Sequence, residues 1–125
     1  MQTVLPPESV SAGRARRFVI AALHEIGAER LTDVAALLVS ELVTTAVLHA
    51  RTEVLLRVVC TDPERGVRVE VVDSSLDAPQ QRHYGAEAVT GRGMLLVESL
   101  ADAWGADVGP TGKVVWFELS GVAAA

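Results

Sequence analysis

The chain has 125 residues, half of them apolar, with 11 Lys+Arg against 16 Asp+Glu and a formal charge of −5. At this size a fold buries roughly two-thirds of the surface its unfolded chain exposes, so disordered and fibrous classes are excluded and no staple is needed. Cys60 is the single cysteine, which excludes an internal disulfide and a Cys-rich zinc site.

In chain order, Thr3-Val4-Leu5 is a short apolar opening and Pro6-Pro7 stops any helix. Glu8 to Ile26 then carries Val10, Phe18, Val19, Ala22 and Leu23 at helical spacing, with Arg14, Arg16 and Arg17 on a solvated face and Gly27 as its cap. Leu31 to Ala50 is the strongest predicted helix. Leu31, Val34, Ala35, Leu38, Leu42 and Ala46 form one stripe and Val39, Val43 and Val47 a second, the pattern of a central, well-buried helix.

The period then changes to two. Val54, Leu56, Val58 and Cys60 alternate with Leu55, Arg57, Val59 and Thr61, and beyond Asp62-Pro63-Glu64-Arg65-Gly66 so do Val67, Val69 and Val71, predicting an antiparallel hairpin. Cys60 reads as a small buried hydrophobe. The same alternation turns Asp73 toward the core, where a carboxylate needs a partner. Ser74 to Arg92 has little periodicity and reads as a lid or binding loop. Gly93 to Ala101 predicts a short helix, and Trp104 to Val108, the turn Gly109-Pro110-Thr111-Gly112 and Val114 to Leu119 predict a second hairpin that carries Trp104 and Trp116 as core or cross-strand neighbours. Helices and antiparallel strands in this order imply an α+β two-layer sandwich, its helices on one sheet face.

The opening residues lack the pattern of an export signal, and no apolar run in the sequence reads as the roughly 20 residues that span a bilayer. One cytoplasmic domain over residues 1–125, away from membranes, is the expectation. The acidic balance argues against direct binding of nucleic acid, which needs clustered Lys/Arg to neutralise phosphates. Ten of the eleven basic residues are Arg. The histidines His24, His49 and His83 show no metal spacing.

Three features suit chemistry. Glu41 and Thr45, four apart, project together from the central helix; Glu41 suits a general base toward a hydroxyl or water, or else pairs with an Arg. Asp73 ends a strand, where it either receives the amino group of a base or caps a turn with Ser74 and Ser75. Gly91-Arg92-Gly93 opens a helix after a long loop, either as a structural turn or as a cradle for an anion. A helix, a strand end and a Gly-rich loop of this kind converge at one edge of a sandwich.

The segments Glu41-Leu42-Val43-Thr44-Thr45-Ala46-Val47-Leu48-His49-Ala50, Val69-Glu70-Val71-Val72-Asp73-Ser74-Ser75, Thr90-Gly91-Arg92-Gly93-Met94-Leu95-Leu96-Val97 and Gly112-Lys113-Val114-Val115-Trp116-Phe117-Glu118-Leu119 resemble, in order, the boxes of the anti-sigma-factor branch of the GHKL ATPase/kinase superfamily. The resemblance implies an ATP pocket between helical layer and lid, bound Mg²⁺, and a serine/threonine-protein kinase that phosphorylates a STAS-type anti-sigma-factor antagonist and sequesters a sigma factor in transcription regulation. It assigns Glu41 as the base that activates the partner's serine, and Asp73 as the carboxylate that receives the adenine amino group. Gly91, Arg92 and Gly93 would close over the phosphates, and Ser75, Met94 and Leu95 are further nucleotide-binding positions. A homodimer is compatible with it, although the residues themselves give no sign of one.

Two positions depart from the family pattern. Thr45 stands where an Asn usually coordinates Mg²⁺, and its shorter hydroxyl becomes the metal and nucleotide ligand. Val114 stands where a Thr usually helps the carboxylate hold adenine, a loss on the order of 1 kcal/mol. Leu48 also replaces a residue that is often basic. These departures support a second expectation beside the kinase: a catalytically degenerate GHKL-fold interaction module with weak or no use of ATP, regulating by protein binding.

Overall fold

The computed structural model describes residues 1–62, 66–74, 92–110 and 112–120. Their elements are β1 (Gln2–Leu5), α1 (Ser11–Glu25), a 3-10 turn (Glu29–Leu31), α2 (Thr32–Ala50), β2 (Val54–Asp62), β3 (Gly66–Asp73), α3 (Arg92–Leu100), β4 (Ala103–Gly109) and β5 (Gly112–Ser120). The strands form one antiparallel sheet in the order β1-β2-β3-β5-β4. α1 and α2 pack on each other and on one sheet face, which makes the α+β two-layer arrangement that the alternation of periods implied.

The opening residues are a strand, which the sequence reading did not assign. Leu5 lies opposite Val54 and Val4 opposite Leu55; four residues before Pro6-Pro7 are too few to show a period. After the prolines, the Ser11 hydroxyl donates to the Pro6 carbonyl, and α1 starts there rather than at Glu8. Gly27 at φ +79° ends the helical turn.

The double stripe of α2 has a direct explanation. Leu38, Val39, Leu42 and Val43 are all buried, because the helix is covered by α1 on one side and by β2 and β3 on another. The 22-residue stretch Glu29–Ala50 is long and apolar enough, at mean hydropathy 1.7, to cross a membrane. This corrects the expectation that no segment reaches that length. In the fold Ala35, Leu38, Val39, Leu42, Val43 and Ala46 of this stretch are used in the core, with Val19 and Leu23 of α1 and the sheet, while Leu37 and Leu48 are exposed.

The inner sheet face supplies Val54, Leu56, Val67, Val69, Val71, Val115, Phe117 and Leu119, with Val97 of α3 joining them. No described element covers the opposite face. There Val4, Leu55, Val72 and Val114 stand side by side across four strands. Beside this row Arg57 and Arg68 both reach Glu70, at 2.7 and 3.0 Å, and Arg68 reaches Glu118 at 3.2 Å. The Arg68 guanidinium also lies 4.0 Å above the Trp116 ring, so Trp116 is an outer-face residue, whereas Trp104 packs partly into the core. Cys60 is exposed, not buried. It keeps the phase of Val58 but sits at the strand end where the β2–β3 register shifts, between Cys60 and Asp62.

Candidate nucleotide site

Asp73 is the last residue of β3 and keeps the inward phase of Val67, Val69 and Val71, as its alternation predicts. Its side chain is 1% exposed. A buried carboxylate requires compensation, and the register supplies it: Asp73 lies directly opposite Lys113 of β5. The Lys113 Nζ is 3.8 Å from Asp73 Oδ2, and the lysine side chain is 3% exposed. Burial pushes the Lys113 ammonium below the ordinary lysine value, and the neighbouring carboxylate opposes that shift without cancelling it.

This geometry corrects the role expected for Val114. The residue lies beside Val72 in the outer row, so its side chain leaves the sheet on the face away from Asp73. Residue 113, one step earlier, is the one that faces the carboxylate. A threonine at 114 would therefore also point away from Asp73, and the valine is accounted for by the apolar row it completes on the outer face.

The close approach of β5 to the end of β3 depends on Gly112. Its φ is +146°, and a Cβ there would lie 2.2 Å from the Asp73 carbonyl oxygen and 3.0 Å from the Ser74 Cα. In the sequence Gly112 reads only as a turn glycine. Its further requirement, space for the backbone of Asp73, becomes visible only once the strands are paired.

On α2, Glu41 and Thr45 are both half-buried, and the helix packs against β3 and α3. The Thr45 hydroxyl donates to the Glu41 carbonyl at 3.0 Å. That bond uses the hydroxyl proton and leaves oxygen lone pairs as acceptors, the role a Mg²⁺ ligand needs. Arg16 of α1 donates to the Ser40 hydroxyl of α2 at 2.9 Å. Leu48 is exposed.

Arg92, Gly93 and Met94 begin α3, one residue earlier than the predicted start, and Leu95 on the same helix is exposed. Ser75, Gly91 and the greater part of the loop read as a lid lie outside the described residues. Among the described residues no group of three His, Cys, Asp or Glu is arranged to hold a metal ion. Thr45 and Glu41 offer hard oxygen donors, which fit a Mg²⁺ held mainly by substrate phosphates and water.

The arrangement combines a buried carboxylate on the inner sheet face with oxygen donors on the helix packed above it. Comparison with curated proteins gives no match. The family described as Histidine kinase-like ATPase domain matches residues 5–119, a span that includes every described element of the site. The chain therefore belongs to this family of GHKL-type domains, which bind ATP, typically with Mg²⁺.

Proposed function

We propose that the protein is an anti-sigma-type regulatory switch that uses Mg-ATP to phosphorylate a serine on a STAS-type antagonist and binds a sigma factor according to that state, in the cytoplasm. The observation that carries this reading is the pairing of a buried, inward Asp73 with a half-buried Glu41 on the helix packed against its strand. A carboxylate in the first position suits the amino group of adenine. In the second it suits a general base beside the nucleotide.

In this reading Asp73 accepts from the adenine amino group and fixes the base. Glu41 accepts the proton of the partner's serine as its oxygen bonds to the γ-phosphorus and the bond to the ADP oxygen breaks. Thr45 contributes its hydroxyl oxygen toward the Mg²⁺, which, when bound, neutralises charge developing on the phosphoryl oxygens. The direct test is incubation of the purified protein with labelled ATP and STAS proteins. Transfer of label by wild type, lost in Glu41→Ala, is expected; no transfer, or equal transfer by the variant, refutes the kinase reading.

One observation favours a non-catalytic module instead. The Thr45 hydroxyl is short and already bonded to its own helix, so it reaches less far toward a metal than an Asn amide. Calorimetric titration with Mg-ATP and Mg-ADP separates the two. Sub-millimolar, Mg-sensitive binding supports the switch and overturns the non-catalytic reading.

A further inference from the structure

The chain contains a single lysine, Lys113, and the fold buries it. Ten arginines carry every other permanent positive side-chain charge. Lysine is among the residues least often buried, and when it is buried it is almost always engaged by another group. Lys113 is also held in place from several directions. Gly112 before it is fixed against the Asp73 backbone, and Val115 two residues on is buried against the helical layer. On the inner face its row continues through Asp73 to Val54 and Leu5, both apolar and buried. The charged part of this row therefore consists of one carboxylate and one ammonium side by side at the sheet end that carries the site.

The Lys113 Nζ lies 3.8 Å from Asp73 Oδ2, and the carboxylate steadies the ammonium by charge and hydrogen bonding. An ammonium has three donor protons and a carboxylate about four acceptor sites, so a pair engaged with each other still presents an acceptor beside a donor. The edge of adenine is complementary: its exocyclic amino group donates, and the adjacent ring nitrogen N1 accepts. A carboxylate alone can satisfy only the first of these.

We propose that Lys113 is a specificity-determining residue of the base site, its ammonium donating to the ring nitrogen N1 while Asp73 accepts from the neighbouring amino group. The assignment rests on the ATP-binding reading and deepens it. It makes base recognition a two-point contact by residues opposite each other on β3 and β5. It also gives the buried lysine a ligand-directed role beyond balancing the charge of Asp73.

The test compares ATP with 1-deaza-ATP, which keeps the amino group, ribose and phosphates but has carbon in place of N1. In calorimetric titrations with Mg²⁺, wild type is expected to bind the analogue about ten- to a hundredfold more weakly, the range for losing a hydrogen bond to a charged group. Lys113→Met is expected to bind the two nucleotides equally. Equal binding by wild type, or an unchanged ratio in the variant, overturns the assignment. Because there is only one lysine, [13Cε]lysine labelling gives a single side-chain NMR signal in unsubstituted protein, independent of whether the variant folds. ATP should shift that signal clearly and 1-deaza-ATP much less; a signal unmoved by saturating ATP overturns the assignment. Failure of ATP itself to bind overturns the ATP reading and the Lys113 role with it. ATP binding without discrimination at N1 removes only the latter.

Discussion

The junction of Gly112 with Asp73 can be tested by comparing two Gly→Ala substitutions that differ in the space around them. Gly27 has φ +79°, and a Cβ added there would meet nothing within 4 Å, so Gly27→Ala carries only the backbone cost. That cost is about 1–2 kcal/mol, partly offset by about 0.4–1 kcal/mol from the lower entropy of the unfolded chain. The net effect is about 1 kcal/mol. Gly112 has φ +146°, in a region nearly reserved for glycine, which costs about 1–3 kcal/mol by itself. Its Cβ would also lie 2.2 Å from the Asp73 carbonyl oxygen, where ordinary contacts begin at 3.4 Å, and both atoms are fixed by the paired backbone. Relief requires the β3 and β5 ends to separate. Gly112→Ala is therefore expected to cost about 3 kcal/mol or more, among the large single-residue effects.

Urea denaturation of the two variants beside wild type reads this difference as a shift in midpoint at constant slope. Mg-ATP titration adds a second reading, since only Gly112→Ala moves Asp73, the carboxylate proposed to hold the base. Equal destabilisation by the two substitutions, or a Gly112→Ala protein that binds ATP as wild type does, would refute the argument that this glycine seats β5 against Asp73.

Three further outcomes follow from the same geometry. Because burial lowers the Lys113 pKa from its ordinary 10.5, the unfolded chain holds that proton more tightly, so stability rises with pH between the lowered value and 10.5; alkaline denaturation series of wild type and Lys113→Met should show this rise only in wild type. Val114→Thr should leave Mg-ATP affinity within about twofold of wild type, because hydrogen-bond energies are realised only by groups that face each other; tighter binding would show that residue 114 does reach the base. Gly105→Ala puts a Cβ 2.6 Å from the Trp116 ring, so the indole must lift and lose its contact with Arg68, a change read as altered Trp fluorescence and a loss of about 0.5–1 kcal/mol for the cation–π contact.

The readable parts of the fold are those where period and burial coincide. Asp73 could be placed inward because it continues Val67, Val69 and Val71 without interruption, and α2 could be placed centrally because two of its faces are apolar. Lys113 could not be found this way. Its partner depends on the pairing of β3 with β5, between which the described part of the chain places α3 and β4. A strand shifted by one residue exchanges its faces, and the family resemblance pointed to 114, the neighbour on the wrong face. β1 was invisible for a different reason: a four-residue strand has too few alternations to count, and its existence depends on the edge that β2 offers. Cys60 was misjudged because alternation describes direction and says nothing about whether another layer extends far enough to cover the strand end.

The burial of Lys113 also defines the protein's surface. With its one lysine in the interior, every surface-borne positive side chain outside the histidines is a guanidinium. Guanidinium groups do not deprotonate in proteins and resist amine-directed acylation. The outward positive charge is therefore insensitive to alkaline pH and to lysine-modifying chemistry, and acylation of a side-chain amine in this protein reports on the interior of the fold.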